Sequence, residues 1–302
     1  MKKIYYRLFF YFLSAVFGGY AGDMYAQQKR KGKPYYMSSD IDLRDFFAYK
    51  PDAEIIISGR RGGREPHFTE NSLEGFQNVL NQMPAIFEID PRLTKDSVIV
   101  LMHDATLDRT TNASGKLSDY TWAELQSVRL KYSDGNVTKL KIPTLEEVIR
   151  WSIGKTVVNL DKKDVPLDMI VDMIRKCKAE KHIMITVHTG AQARYYYDRF
   201  PDIMISVFAR NAKEYEDISI SGVPWRNMIA YVGPTINEKN KDIVEKLHNN
   251  SVRCMVSLAP THDKLGTKEE RAEKYMLEIE KKPDIIESDI PVEVWNVYKQ
   301  NK

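Results

Sequence analysis

Residues 55–90, IIISGRRGGREPHFTENSLEGFQNVLNQMPAIFEID, decide the fold. A β-branched run at Ile55–Ser58 is followed by a helical pattern over Ser72–Gln82 and a second apolar run at Ile86–Asp90. Strand, helix and strand in that order make a right-handed βαβ unit with parallel strands. The alternation continues outward. Further strands are predicted at Val98–Leu101, Thr156–Leu160, Ile183–Val187, Ile203–Val207, Met228–Val232, Val252–Leu258 and Ile285–Ser288. Helical patterns at Leu145–Ser152, Leu167–Lys178 and Ile236–Asn249 lie among them. The fold class is therefore α/β, a (β/α)8 TIM barrel. The runs are one too many for eight strands, and Met228–Val232 or Ile203–Val207 is the expected short or displaced one. From about 104 to 143 the pattern breaks, with turns at Ser114–Gly115 and Asp134–Gly135 and a capped helix from Thr121. That segment reads as an insertion after the third strand, on one rim of the barrel.

The 302 residues are 43% hydrophobic and 29% charged, which excludes a disordered or fibrous chain. Two cysteines, Cys177 and Cys254, exclude a disulfide scaffold or a Cys-rich zinc module, and their spacing does not say whether they pair. Residues 1–26 read as a signal peptide: Lys2, Lys3 and Arg7, then the apolar core LFFYFLSAVF, then small residues up to Ala26. Such a core is too short for a stable membrane anchor, so the expected location is periplasmic or extracellular. Without those residues the chain is close to neutral, and nothing in its charge favours nucleic acid. Residues 27–50 are expected to be a linker and N-terminal segment, with Gln27–Ser39 solvated, and 51–302 the barrel domain. The helix faces show no heptad seam, so the oligomeric state is not legible.

Chemistry gathers at strand ends. Glu88 and Asp90, two apart on a strand, point to one face. Together they call for a cation, and hard oxygen ligands favour Mg²⁺ or Ca²⁺. Val98–Leu101 runs into His103-Asp104, and Thr156–Leu160 into Asp161-Lys162-Lys163. The first strand runs into Gly59-Arg60-Arg61-Gly62-Gly63, whose glycines admit an anion to the backbone and whose guanidiniums fork onto phosphate oxygens. An anionic, oxygen-rich small molecule with a divalent ion fits this set, and phosphate ester chemistry fits it best.

The ordered blocks Arg60-Arg61-Gly62, Glu70-Asn71-Ser72, Glu88-Ile89-Asp90, Thr94-Lys95-Asp96, His103-Asp104-Ala105-Thr106-Leu107-Asp108-Arg109-Thr110-Thr111, Asp161-Lys162-Lys163 and Asp289-Ile290-Pro291 resemble the glycerophosphodiester phosphodiesterase family. The likeness is dense from Ile55 to about Lys163 and thin from there to Asp289. It implies hydrolysis of glycerophosphodiesters to glycerol 3-phosphate and an alcohol by an exported, metal-dependent enzyme. It further implies Glu88, Asp90 and Asp161 as metal ligands, with Glu70 joining them or holding substrate. Arg61 becomes the phosphate clamp, Lys163 a second positive contact and His103 a general acid/base. An aspartate at 161, where most members carry glutamate, is similar to the sphingomyelinase D type.

One departure matters more than the matches. The family's first catalytic histidine corresponds to Arg60, which cannot release a proton at working pH. Arg60 is then expected to stabilise charge on the phosphoryl oxygens, with His103 as the sole imidazole. His67, His188 and His262 are placed where they would reach a pocket at the strand ends, whereas His182 and His248 belong to the other side. Two alternatives stay open. One is a weak or inactive barrel that binds phosphodiesters or metal. The other is a hydrolase of lysophospholipid-type diesters, with Trp122, Leu125, Leu130 and Tyr132 either lining an apolar pocket or forming the insertion's own core.

Overall fold

In chain order the strands are β1 (Ile56–Arg60), β2 (Ile86–Ile89), β3 (Pro91–Leu93), β4 (Ile99–Leu101), β5 (Val158–Leu160), β6 (Ile183–Val187), β7 (Met204–Phe208), β8 (Met228–Gly233), β9 (Arg253–Ser257) and β10 (Ile285–Ser288). All but β3 and β4 close into a parallel barrel in the order β1-β10-β9-β8-β7-β6-β5-β2. A computed structural model describes residues 34–64 and 67–301. The signal-peptide reading of residues 1–26 lies outside these described residues.

The supernumerary strand is β4, not Met228–Val232 or Ile203–Val207, which supply β8 and β7 of the barrel. Both edges of β2 are taken, by β1 and β5. Chain length decides the rest. A parallel neighbour needs a crossover of roughly a dozen residues, whereas a short turn returns the chain antiparallel. Thr94–Ser97 is such a turn: Thr94 N donates to Val98 O at 3.0 Å, Val98 N donates to Thr94 Oγ1 at 2.9 Å, and Ser97 adopts φ 64°. β3 and β4 accordingly pair antiparallel, Pro91 opposite Leu101, and the insertion starts at the exit of β2.

The inside of the barrel is layered, because residues two apart on a strand share a face. Ile56, Ile86, Val157, Met184, Met204, Ile229, Met255 and Ile285 form an apolar lower layer. Two residues on along the strands stand Ser58, Glu88, Asn159, Thr186, Ser206, Tyr231, Ser257 and Glu287, a polar layer towards the C-terminal end. The intervening residues, such as Ile57, Phe87 and Val158, pack outward beneath the helices.

The lower layer opens at the N-terminal end, and residues 35–47 cover it. Tyr35 N donates to Leu80 O at 2.7 Å and Met37 N to Lys155 O at 2.8 Å, and Met37, Leu43, Phe46 and Phe47 bury against the layer. The described part of Gln27–Ser39 is therefore not a solvated linker. A barrel end lined by methionine and isoleucine needs an apolar cover, which outweighs the polarity of the flanking residues. Phe47→Ala, a residue only 1% exposed, is expected to cost about 3–5 kcal/mol in urea unfolding. Because the cover lies at the opposite end from the polar layer, KM of any activity there should not change.

The insertion forms its own small core from Val100, Met102, Leu107, Leu117, Leu125, Val128, Leu130 and Ile142. Its short helix Trp122–Leu125 carries a capping box between Thr121 and Glu124. Cys177 and Cys254 are both buried and free. Among the described residues, no helix is long and apolar enough to cross a membrane.

Candidate active site

The exits of three adjacent strands are laced together at the C-terminal end. Arg61 N donates to Glu88 O at 2.8 Å, and Asp161 N donates to Ile89 O at 2.9 Å. The turn after β1 is left-handed through Arg61 (φ 56°), Gly62 (φ 86°) and Gly63 (φ 91°). At Gly62 a Cβ would lie 2.5 Å from Phe76 Cδ1, so the position takes glycine alone. This turn presents two guanidiniums. Arg60, inward-facing like Ile56 and Ser58, places Nη1 3.2 Å from Asp289 Oδ1, and Arg64 bonds the other oxygen of Asp289. Arg61 places Nη1 3.3 Å from Glu70 Oε1, and its buried Nε has no hydrogen-bond partner.

Glu88, Asp90 and Asp161 each bring an oxygen within 4.8 Å of the other two. Asn71, itself left-handed at φ 53°, fixes Asp90 by donating Nδ2 to Oδ2 at 2.7 Å and accepting its N–H at 3.3 Å. Ser72 then caps the helix Leu73–Gln82 through Gly75 N. Burial pushes the Glu88 carboxyl well above the usual range, and the charges of Asp90 and Asp161 add to it. Burial acts the same way on Asp90, but the Lys163 ammonium, the Asn71 donor and Arg61 together hold it below its ordinary value. Lys163 Nζ lies 3.0 Å from Asp90 Oδ1 and also bonds Asp161. Glu88 Oε2 is buried without a partner. A carboxylate oxygen so isolated, beside two more hard oxygens, is the donor set that Mg²⁺ or Ca²⁺ takes.

Glu70 stands apart from this trio. Arg109 forks onto both its oxygens at 2.8 Å, and Arg61 reaches it as well. Burial would raise its carboxyl, but Arg109 and Arg61 hold it below the ordinary value. With both oxygens held by guanidiniums, it orients Arg61 rather than joining the carboxylate trio.

His103 is fixed over the exit of β2: Met102 N donates to Asp90 O at 2.9 Å and Arg92 Nε to His103 O at 2.9 Å. Its Nδ1 lies 2.7 Å from Asp104 Oδ1, and Arg109 Nε donates to Asp104 Oδ2 at 2.7 Å. Arg109, with help from His103, holds the Asp104 carboxyl far below its usual range. Burial lowers the His103 pKa, opposed by the Asp104 hydrogen bond. A neutral imidazole bonded at Nδ1 offers Nε2 to a proton.

These groups border a cleft of about 570 Å³, where Arg60, Arg61, Glu88, His103 and Asp161 face an apolar side that includes Phe208, Tyr231 and Pro260. Glu70, Asp90 and Lys163 do not line it. His103 is the one histidine lining the cleft among the described residues. The other candidates do not line it: His188 stands edge-on to Phe208, His262 lies 3.2 Å from Glu278, and His67 stands edge-on to Tyr132. Leu125 and Leu130 are buried in the insertion's core with Trp122 packed on it, and neither they nor Tyr132 line the cleft. Leu125, Leu130 and Trp122 belong to the insertion's own core because their apolar area is satisfied there, whereas Tyr132 belongs to neither that core nor the cleft. Sequence reasoning assigned no role to Arg64, Asp104, Arg109 or Glu287. Arg109 and Asp104 sit in the His103 block, and Glu287 is a carboxylate directly after the apolar pair Ile285-Ile286, which was the available signal.

Residues 61–225 match the glycerophosphoryl diester phosphodiesterase family. A crystal structure of a glycerophosphoryl diester phosphodiesterase from Parabacteroides distasonis is 50% identical, covers 88% of this chain and 93% of its own, and superposes with a TM-score of 0.84. A glycerophosphodiester phosphodiesterase from Bacillus altitudinis is 24% identical over 62% of this chain and 79% of its own. The fold is shared with an Oleispira antarctica phosphodiesterase solved with the product sn-glycerol-3-phosphate, at 17% identity and a TM-score of 0.59, over 81% of this chain and 96% of that one.

Proposed function

The chain belongs to the glycerophosphoryl diester phosphodiesterase family, and from that premise we propose that it hydrolyses glycerophosphodiesters to glycerol 3-phosphate and an alcohol. The observation behind the reading is the convergence, at one barrel mouth, of the carboxylates Glu88 and Asp161, the guanidiniums of Arg60 and Arg61, and His103. The family generally uses a divalent metal, and Glu88, Asp90 and Asp161 are the residues that would hold it here. When bound, such a cation supplies positive charge that polarises a phosphoryl oxygen.

The chain's own residues account for the rest. Arg61, backed by Glu70, and Arg60, backed by Asp289, bind the anionic diester and stabilise the charge that spreads over its oxygens during displacement. Lys163 adds a cation beside Asp90 and Asp161. His103, held by Asp104 at Nδ1, takes a proton at Nε2. Export by residues 1–26 belongs to the same proposal.

The second reading, a barrel that binds diesters without turnover, is motivated by Arg60. Its guanidinium is tied to Asp289 at 3.2 Å and contributes no proton. The mature chain, assayed with Mg²⁺ or Ca²⁺ on glycerophosphodiesters, is expected to release glycerol 3-phosphate. Tight binding without release, with activity appearing only in Arg60→His, would establish the binder instead.

A further inference from the structure

We propose that Glu287 is a catalytic residue of this chain, the proton donor to the leaving alcohol oxygen, in the role that arginine at position 60 cannot fill. The proposal rests on the phosphodiesterase reading above and adds a group that the sequence motifs do not include.

β1 is flanked by β2 on one side and β10 on the other. Glu287 is paired in register with Ser58, one inward-facing step below Arg60. His103 is fixed to the exit of β2, so the guanidinium that would hold the phosphoryl group has an imidazole on one flank and a carboxyl on the other. Displacement at phosphorus sets the attacking and leaving oxygens roughly in line, which calls for two proton-handling groups on opposite sides.

The neighbouring groups do not supply that proton. Asp289 has both oxygens engaged by Arg60 and Arg64. Burial drives the Tyr231 phenol upward, away from proton donation at neutral pH. Lys264 is exposed at the rim. Glu287 is 9% exposed, lines the cleft, and is positioned by Ser257, whose hydroxyl donates to Oε1 at 2.8 Å.

The groups facing it are Arg60 from β1, Glu88 from β2, Asp161 after β5, Tyr231 from β8, Ser257 from β9 and Asp289 beyond its own strand. Burial, with Asp161 and Asp289, pushes its carboxyl up to about 7 against the opposing Ser257 and Arg60. A raised carboxyl on one flank of Arg60 and a lowered imidazole on the other are the divergence that separates acid from base.

In the step, a water oxygen bonds to phosphorus as the bond from phosphorus to the alcohol oxygen breaks. The water's proton passes to His103 Nε2 and the Glu287 proton to the departing oxygen. The alcohol leaves neutral, and solvent exchange restores both groups.

The test compares two phosphodiesters on the full mature chain with saturating Mg²⁺: one with an alkyl alcohol and one with a nitrophenol, whose anion departs without a proton. Glu287→Gln is expected to lower kcat on the alkyl ester about 10²-fold, to leave the nitrophenyl ester within about threefold, and to abolish the basic limb of the pH profile. Ser257→Ala, which removes a donor to the carboxylate, should move that limb to higher pH. Equal losses on both esters, no loss on the alkyl ester, or an unmoved limb in Ser257→Ala would each overturn the role of Glu287 with the enzyme reading intact. A wild-type chain silent on both esters would defeat the phosphodiesterase reading itself. If Glu287→Gln does not fold, Ser257→Ala decides.

Discussion

Chelation of divalent cations is expected to bring hydrolysis below detection, and Glu88→Gln to lower kcat/KM by about 10²- to 10³-fold. Glutamine preserves the volume of a side chain packed inside the barrel, so the loss reports charge rather than a cavity. Two consequences distinguish a cation site from an acidic pocket. Without a cation, the buried Glu88 holds its proton to unusually high pH. Cation binding must displace that proton, so affinity should rise with pH, and calorimetry in buffers of different ionisation enthalpy should register proton release. Stability carries the opposite sign: with its folded pKa raised, Glu88 makes the cation-free chain lose stability as pH climbs from the ordinary glutamate value towards the raised one. Adding the cation should shrink that slope, and Glu88→Gln should shrink it in the cation-free chain, leaving the part that the raised Glu287 carboxyl contributes. Full activity in excess chelator would remove Glu88, Asp90 and Asp161 from the mechanism.

The sequence showed the barrel because parallel strands buried on both faces read as unbroken apolar runs, and those runs sit where the strands are. It misplaced Val98–Leu101 because composition does not distinguish a barrel strand from a hairpin arm. The distance from Asp90 to Val98, too short for a crossover, held that information. The described part of Gln27–Ser39 was misread for a related reason: which residues cover the barrel end is a matter of tertiary packing, while the local signal is the basic stretch beside them. At the site, strand-exit residues were legible because their type is unusual at the end of an apolar run. The pairings were not. Nothing local says that Arg109 engages Glu70 across the turn, or that Asp289 holds Arg60 from the far end of the chain. Glu287 sits inside a strand rather than at its exit, and only closure of the sheet sets it beside Arg60.

His103→Ala is expected to lower kcat by about 10²- to 10⁴-fold with little change in KM, because the imidazole moves a proton while the guanidiniums hold the substrate. The pH profile separates this role from a structural one. Burial lowers the His103 pKa, so the acidic limb of kcat/KM should lie below the ordinary histidine value, with activity persisting into mildly acidic solution before it falls. Asp104→Asn removes the partner that opposes this shift. It should displace the limb further downward and lower kcat, since Nδ1 loses the acceptor that orients the ring. Arg109→Lys supplies the contrast: a lysine keeps the charge but cannot fork onto Glu70 while also engaging Asp104. Its main effect should be a higher KM, through a loosened Glu70 and a less fixed Arg61, with a smaller displacement of the acidic limb. If His103→Ala raised KM alone and left both kcat and the acidic limb in place, the imidazole would be a substrate contact, and proton transfer would belong to another group.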